Sequence, residues 1–360
     1  MFQHITVCLD MRGCPNRCRH CWIGHAPNAR LPKEALIALA EAFRPFAQRL
    51  TVYDWYREPD YGDDYREMWE LCGRLSDARP EHFELVSFWR LARDPDYGPW
   101  LASLGVRRAQ LTLFGGRART DQYTGRANAF AEILRAVEVL LQNRIAPRIQ
   151  VFVNKENLGE LAQVEALVRD LDLEARCQAF GEDFDLFLHP GSCDGENEKL
   201  YDIRVTREDL EKIPPALAAC TLRYLQRESL QQVFGRTEQA LCAELRADAS
   251  TASLAEPNPV FYVDAAFDVY PNFTAPAPAW RLGNVRADGA EAVLAAYAQD
   301  GSAAQRAPHD PPVRPGGRAG GRAEPEALWP GRLHHLPAEP GLPLGAVLSA
   351  APGGTCCPAR

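Results

Sequence analysis

Three cysteines, Cys14, Cys18 and Cys21, fall within one short stretch, Cys14-Pro15-Asn16-Arg17-Cys18-Arg19-His20-Cys21. The spacing is C-x3-C-x2-C, and it follows the apolar run at residues 5–9. Thiolates this close together suit three corners of a cuboidal iron–sulfur cluster, because cysteine sulfur is the usual protein ligand for such iron. A set of three leaves the fourth iron open, and an open iron takes a substrate or a cofactor. The alternative is a structural zinc site in which His25 completes a Cys3His set. Zinc ligands more often come as two separated pairs, and no second C-x2-C pair occurs in the chain. Purely structural thiols account poorly for three cysteines in one loop.

Such a loop has to be carried by regular elements. From residue 4 to about residue 190, strand-like and helix-like segments alternate, the pattern of parallel βα units. Residues 5–9 read as the first strand, with the cysteine loop at its C-terminal end. A helix is expected from Pro32 through Leu50, with Leu36, Leu39, Ala40 and Phe43 at helical spacing. Further strands are expected at residues 51–55, 83–88, 108–114, 148–153 and 175–180. Helices are expected at residues 63–77, 99–104, 129–143 and 158–171, the third with Phe130, Ile133, Leu134, Val137, Leu140 and Leu141 in one stripe. Six such units predict an α/β fold, a partial (three-quarter) TIM-type (βα)6 barrel. Active sites of these barrels lie at the C-terminal strand ends, where the cysteine loop falls.

With His20 before its last cysteine, the motif resembles the signature of the radical S-adenosylmethionine (radical SAM) enzymes. The resemblance covers residues 4–190, and radical SAM cores have the open-barrel form. It implies a [4Fe-4S] cluster on Cys14, Cys18 and Cys21, with S-adenosyl-L-methionine (SAM) on the open iron through its amino and carboxylate groups. It also implies an external electron donor of the flavodoxin or ferredoxin type. SAM would be cleaved to methionine and a 5′-deoxyadenosyl radical that abstracts hydrogen from an unactivated C–H bond.

The family's Gly-Gly-Glu-Pro-like element, which receives the SAM amino group, resembles Tyr56-Arg57-Glu58-Pro59. Glu58-Pro59 is kept and the glycines are replaced. A carboxylate suits the role, since an ammonium in a partly dry pocket needs a charge-assisted acceptor. Ser87 stands where the family often has a polar group near the methionine or ribose. Arg126 resembles the arginine after the fourth strand, a planar partner for the SAM carboxylate. Asn154 would contact the ribose or cap the next helix. As plainer readings, Glu58 is a solvated loop residue, Ser87 a strand-end serine and Arg126 a surface arginine at a helix start.

Residues 191–300 read as a smaller α+β extension, with a helix at residues 238–246, a hairpin from residues 260–263 and 267–270, and a helix at residues 290–298. The run Tyr270-Pro271-Asn272, then Leu282-Gly283-Asn284-Val285, resembles the extension called SPASM, in a degenerate form. Asn272 replaces a cluster-binding cysteine, and an amide is a poor ligand for such iron. Cys193, Cys220 and Cys242 show no clustered spacing. No auxiliary cluster is expected. The resemblance implies a peptide or small-molecule substrate. Asp54, Trp55, Tyr56, Phe114, Phe187 and His189, at expected strand ends, would line its cavity or simply pack.

The formal net charge is −8 with no long basic block, so nucleic acid is not expected as a partner. The first residues lack signal-peptide character and no run of about 20 apolar residues occurs, so the expectation is a cytoplasmic protein with no membrane partner. Eleven cysteines in such a chain argue for metal or redox chemistry. Residues 301–360 hold 11 Pro and 10 Gly and no Lys, the composition of a disordered tail. They read equally as GC-rich DNA translated out of frame, and Cys356-Cys357 receive no role. Two other readings stand beside the enzyme: a non-catalytic binding protein with the zinc site, and an inactive radical SAM relative.

Overall fold

Parallel strands covered on both faces are apolar along their length, and the first strand of the protein is one of these. In a computed structural model, β1 (Phe2–Asp10) sends Ile5, Val7 and Leu9 to one buried face and Cys8 to the other. The structure describes residues 1–10, 13–21, 31–55, 58, 60–190, 200, 202–237, 239–240, 243, 255–271, 278–299 and 328–329.

Helix α1 (Lys33–Phe43) packs Leu36, Leu39, Ala40 and Phe43 on the Ile5 face. It stops seven residues short of the expected end at Leu50. Pro45 cannot donate into the helical ladder, so Arg44–Phe46 make a single 3-10 turn. The chain re-enters as β2 (Ala47–Trp55), which pairs in parallel with β1 from Phe2 opposite Ala47 to Asp10 opposite Trp55. Helix α2 (Tyr65–Leu75) follows.

The strand expected at residues 83–88 is reduced to one bridge, Leu85 opposite Gln110, with Gln110 N donating to Glu84 O at 2.7 Å. The apolar run is cut by Ser87, whose hydroxyl accepts from Arg90 N and caps α3 (Phe88–Arg93). Next come α4 (Tyr97–Ser103), β3 (Arg108–Leu113), α5 (Arg117–Thr124), α6 (Ala129–Gln142), β4 (Ala146–Phe152) and α7 (Leu161–Asp170).

The strand expected at residues 175–180 is instead a helix, α8 (Leu173–Gln178), which buries Leu173 and Cys177 four residues apart. Gly181, at φ 86°, turns the chain, and the last core strand follows as β5 (Asp185–His189). Strands β3, β4 and β5 form a parallel sheet in that order. The chain thus builds an α/β partial barrel. Its helices α6 and α7 pack on the Leu111, Ile149 and Leu186 face.

Beyond the barrel lie α9 (Pro215–Leu225), α10 (Leu230–Phe234), β6 (Arg236–Thr237), β7 (Val260–Val263), β8 (Asp268–Pro271), β9 (Gly283–Asn284), α11 (Val285–Ala298) and β10 (Leu328–Trp329). Strand β7 pairs in parallel with β1, and the antiparallel β7–β8 hairpin completes a sheet ordered β2-β1-β7-β8-β9. Helix α9 covers β5, whose Leu188 N donates to Thr221 Oγ1 at 3.0 Å.

Helix α11 starts earlier than expected because Asn284 accepts from the Arg286 and Ala287 amides; Gly289 kinks it at φ 81°. Most of the helix expected at residues 238–246 lies outside the described residues, as do Cys193, Cys242 and Asn272. Of the tail only Leu328–Trp329 is described, paired antiparallel with Arg236–Thr237. Among the described residues no helix is long and apolar enough to cross a membrane.

Candidate functional site

Every chemistry-bearing residue singled out from the sequence, as far as it is described, lies at one end of the barrel. Cys14, Cys18 and Cys21 follow β1, Glu58 follows β2, and Ser87 follows the Leu85 bridge. Arg126 follows β3 and α5, and Asn154 follows β4.

The cysteine loop is tied to α5 through its backbone. Arg17 N donates to Thr124 O and Arg19 N to Tyr123 O, each at 2.8 Å. Gly125 permits that approach. It sits at φ 66°, and a Cβ there would stand 2.9 Å from Arg17 O. Arg19 also lies over the Tyr123 ring at 4.7 Å and pairs with Glu156 at 3.3 Å. Burial first, then the neighbouring Cys14 and Cys21 thiols, hold the Cys18 thiol well above its ordinary pKa. A buried thiol whose ionisation is opposed in this way is a donor that a cationic iron cluster would relieve.

Among the described residues no three His, Cys, Asp or Glu side chains converge as ligands of one metal ion would. A cluster spreads its thiolates over three irons and does not require that convergence. His25, the fourth ligand of the zinc reading, lies outside the described residues.

Glu58 is 5% exposed, not the solvated residue of the plainer reading. Three donors hold its carboxylate: Ser87 Oγ (2.8 Å) and Trp89 N (3.2 Å) on Oε1, and Asn16 Nδ2 (2.9 Å) on Oε2. Burial outweighs them and pushes the carboxyl up to about 7, with Ser87, Trp89 and Arg126 pulling it down.

Arg126 Nε donates to Asn16 Oδ1 at 2.8 Å, so one amide joins the carboxylate to the guanidinium. Arg126 Nη2 stands 2.5 Å from Glu132 Oε2 as an ion pair. The contact is out of line for a hydrogen bond, and both atoms are buried without one. Arg126 also lies over the Phe88 ring at 5.4 Å. It is therefore set inward rather than on the surface.

Ser87 and Asn154 are turned toward protein. Ser87 is fully buried, capping α3 while donating to Glu58. Asn154 Oδ1 accepts from Glu156 N (2.9 Å) and Tyr123 O–H (3.3 Å). Asn157, not Asn154, bonds the strand-end carbonyls of Phe114 and Phe152.

A second buried set fixes the loop that carries Glu58. Arg90, 5% exposed, donates to the carbonyls of Asp60, Tyr61 and Gly62. Asp60 Oδ2 accepts from Tyr97 O–H (2.6 Å) and from His82 Nε2 (2.8 Å).

Of the expected cavity residues, Phe114 and Phe187 are 1% exposed. Phe114, Phe152 and His189 form a run of ring contacts with His20 at centroid distances of 4.5 to 4.8 Å between Phe114 and His20, His20 and Phe152, and Phe152 and His189. Burial, with His189 adding to it, holds His20 down at about 3, so its ring is neutral. Asp54 and Trp55 end β2, while Tyr56 lies outside the described residues. Asn16, Glu132, Glu156 and the His82–Asp60–Tyr97 set were not legible as site residues. Asn16 alone carried a signal, as a polar side chain inside the cysteine motif.

Residues 9–168 match the family model of the Radical SAM superfamily. That segment, less than half of the chain, is similar to the radical SAM domain, and members of that superfamily are enzymes. Among solved structures, the chain resembles native anSMEcpe with bound AdoMet and Kp18Cys peptide at 14% identity, covering 83% of this chain and 82% of that one, with a TM-score of 0.52. The form of that protein with AdoMet and Cp18Cys peptide matches at 15% identity over 81% and 80%, TM-score 0.50. Streptococcus suis SuiB bound to S-adenosylmethionine matches at 11% identity over 84% of this chain and 65% of that one, TM-score 0.44. These likenesses concern the fold. No curated protein matches the sequence.

Proposed function

We propose that the protein is a radical SAM enzyme that holds a [4Fe-4S] cluster on Cys14, Cys18 and Cys21 and binds SAM beside it. The observation that carries this reading is the joining of cysteine loop, Glu58 and Arg126 into one hydrogen-bonded network through Asn16. Bound there and reduced by an external donor of the flavodoxin or ferredoxin type, the cluster would give one electron to the SAM sulfonium, splitting it into methionine and a 5′-deoxyadenosyl fragment that takes hydrogen from a substrate C–H bond.

The chain's own residues would bind and orient. Glu58 accepts the SAM ammonium at an acceptor site left by Asn16, Ser87 and Trp89, since a carboxylate offers about four. Arg126 would meet the SAM carboxylate with guanidinium donors other than the Nε bonded to Asn16 and the Nη2 paired with Glu132. Ser87 and Asn154 serve indirectly, through Glu58 and through Tyr123 and Glu156. The ring run from His20 to His189 keeps water from the barrel beneath the cysteine loop.

A peptide substrate is the favoured class, supported by the peptides bound to the structurally similar anSMEcpe. We read residues 1–190 as the core and 191–300 as a degenerate SPASM-like extension without an auxiliary cluster. The β7–β8 hairpin, Gly283-Asn284 and the helix after them support that reading.

The test is anaerobic reconstitution, then incubation with SAM and dithionite and chromatography for 5′-deoxyadenosine. Formation that disappears in Cys14→Ala, Cys18→Ala and Cys21→Ala is the expected result. Zinc in place of iron would end the reading, and an iron-loaded protein forming none would favour the inactive relative.

A further inference from the structure

Glu58, 5% exposed, and Arg126, whose side chain is 18% exposed, are an acid and a base on either side of one amide. A direct ion pair between them is the competing arrangement, since attraction between poorly solvated charges is strong, and Arg126 already makes one such pair with Glu132. The amide of Asn16 stands between them. Its Nδ2 donates to Glu58 Oε2 at 2.9 Å and its Oδ1 accepts from Arg126 Nε at 2.8 Å. The orientation of the amide is dictated, since a guanidinium only donates and the Glu58 carboxylate already accepts from two other donors. Asn16 is 8% exposed; its bond to Glu58 is buried and its bond to Arg126 is part-buried. Its backbone N–H also donates to Cys14 Sγ at 3.4 Å, which ties the same residue to the first thiol.

We propose that Asn16 is a positioning residue, a spacer that holds an anion and a cation at the separation required by a ligand carrying ammonium and carboxylate on one carbon. The inference rests on the SAM reading above, in which that ligand end is the methionine part of SAM. The amide bonds the carboxylate on one side and the guanidinium on the other, and so fixes the separation between them. An alanine would leave the cysteine loop's backbone bonds to Tyr123 and Thr124 and the N–H to Cys14 intact, while removing the spacer.

The experiment compares reconstituted full-length wild type with Asn16→Ala. It reads iron per chain, melting temperature, and affinity by calorimetry for SAM and for 5′-methylthioadenosine, which has the nucleoside but lacks the amino acid end. Loss of hydrogen bonds to charged groups predicts a lowered melting temperature and SAM binding weaker by about tenfold or more, with iron and 5′-methylthioadenosine affinity unchanged. Undiminished SAM binding in Asn16→Ala would overturn the spacer role alone. So would equal loss for both ligands, or loss of iron, since either describes a general structural part. A wild type that takes up iron and binds no SAM would overturn the SAM reading and the spacer with it.

Discussion

His82 is placed between two acceptors, with Nε2 at 2.8 Å from Asp60 Oδ2 and Nδ1 at 2.8 Å from Phe83 O. Each nitrogen can satisfy its neighbour only by carrying a proton. Burial opposes the charge, but the Asp60 carboxylate and the Phe83 carbonyl outweigh it, and the His82 pKa is raised. A histidine whose folded pKa lies above its unfolded value of about 6.5 binds more protons folded than unfolded between the two. Its stabilisation is therefore complete below about pH 6.5 and drains away as pH rises through the folded value. The expected outcome is a melting temperature that falls over that alkaline span in wild type, with the slope abolished in His82→Gln. A slope that survives in the variant would assign it to another group. The cysteines stood out by their type and spacing, and Glu58 and Arg126 only by the resemblance of their surroundings to a family's motifs. His82 and Asn16 were not legible, because their partners lie 22 residues away in one case and 42 and 110 in the other, distances that only the fold closes.

At the scale of elements, the site depends on where α5 ends. Gly125 closes that helix in a left-handed turn, and its hydrogen atoms face the Arg17 carbonyl of the cysteine loop. Gly125→Ala is expected to cost about 1–3 kcal/mol in backbone strain and to push the loop, lowering iron retained after reconstitution. Gly105 is the control, at φ 83° with nothing within 4 Å of an added Cβ. Gly105→Ala should cost comparable stability in thermal melts and leave iron content alone. Equal iron loss in both variants would refute the role of the contact. The expected elements failed where apolar content was read without its punctuation. Ser87 turned the end of one expected strand into a capped helix, and Pro45 ended α1 early. The helix formers Glu174, Ala175 and Arg176 made α8 of residues read as a strand. The long stripe of α6 was legible because six apolar positions agreed on one face.

At the scale of the molecule, one core joins β1 to residues as far along the chain as Tyr297. Phe261 of β7 is fully buried, stacked on Phe43 of α1 at 5.8 Å and edge-on to Tyr297 of α11 at 5.1 Å. Ile5, Val7 and Leu9 belong to the same core. The strand that leads into the cysteine loop therefore needs residues more than 250 positions downstream for one of its neighbours. Phe261→Ala is expected to cost about 3–5 kcal/mol and to lower a single unfolding transition in which far-ultraviolet signal and iron are lost together. Two separated transitions would show that the sheet does not unfold as one. The hairpin was legible as a hairpin, yet its docking beside β1 was not, since parallel pairing leaves no local turn signal.

The bond from Leu188 N to Thr221 Oγ1 bears on how the molecule meets other chains. An unpaired strand edge is a template on which any extended peptide can lay itself, by the same amide–carbonyl pairing that builds sheets. Here that amide is already spent on a helix of the same chain, and Thr221 is fully buried over it. A peptide approaching β5 at Leu188 finds a covered flank, so strand addition is not offered there to a substrate, a second copy or a growing aggregate.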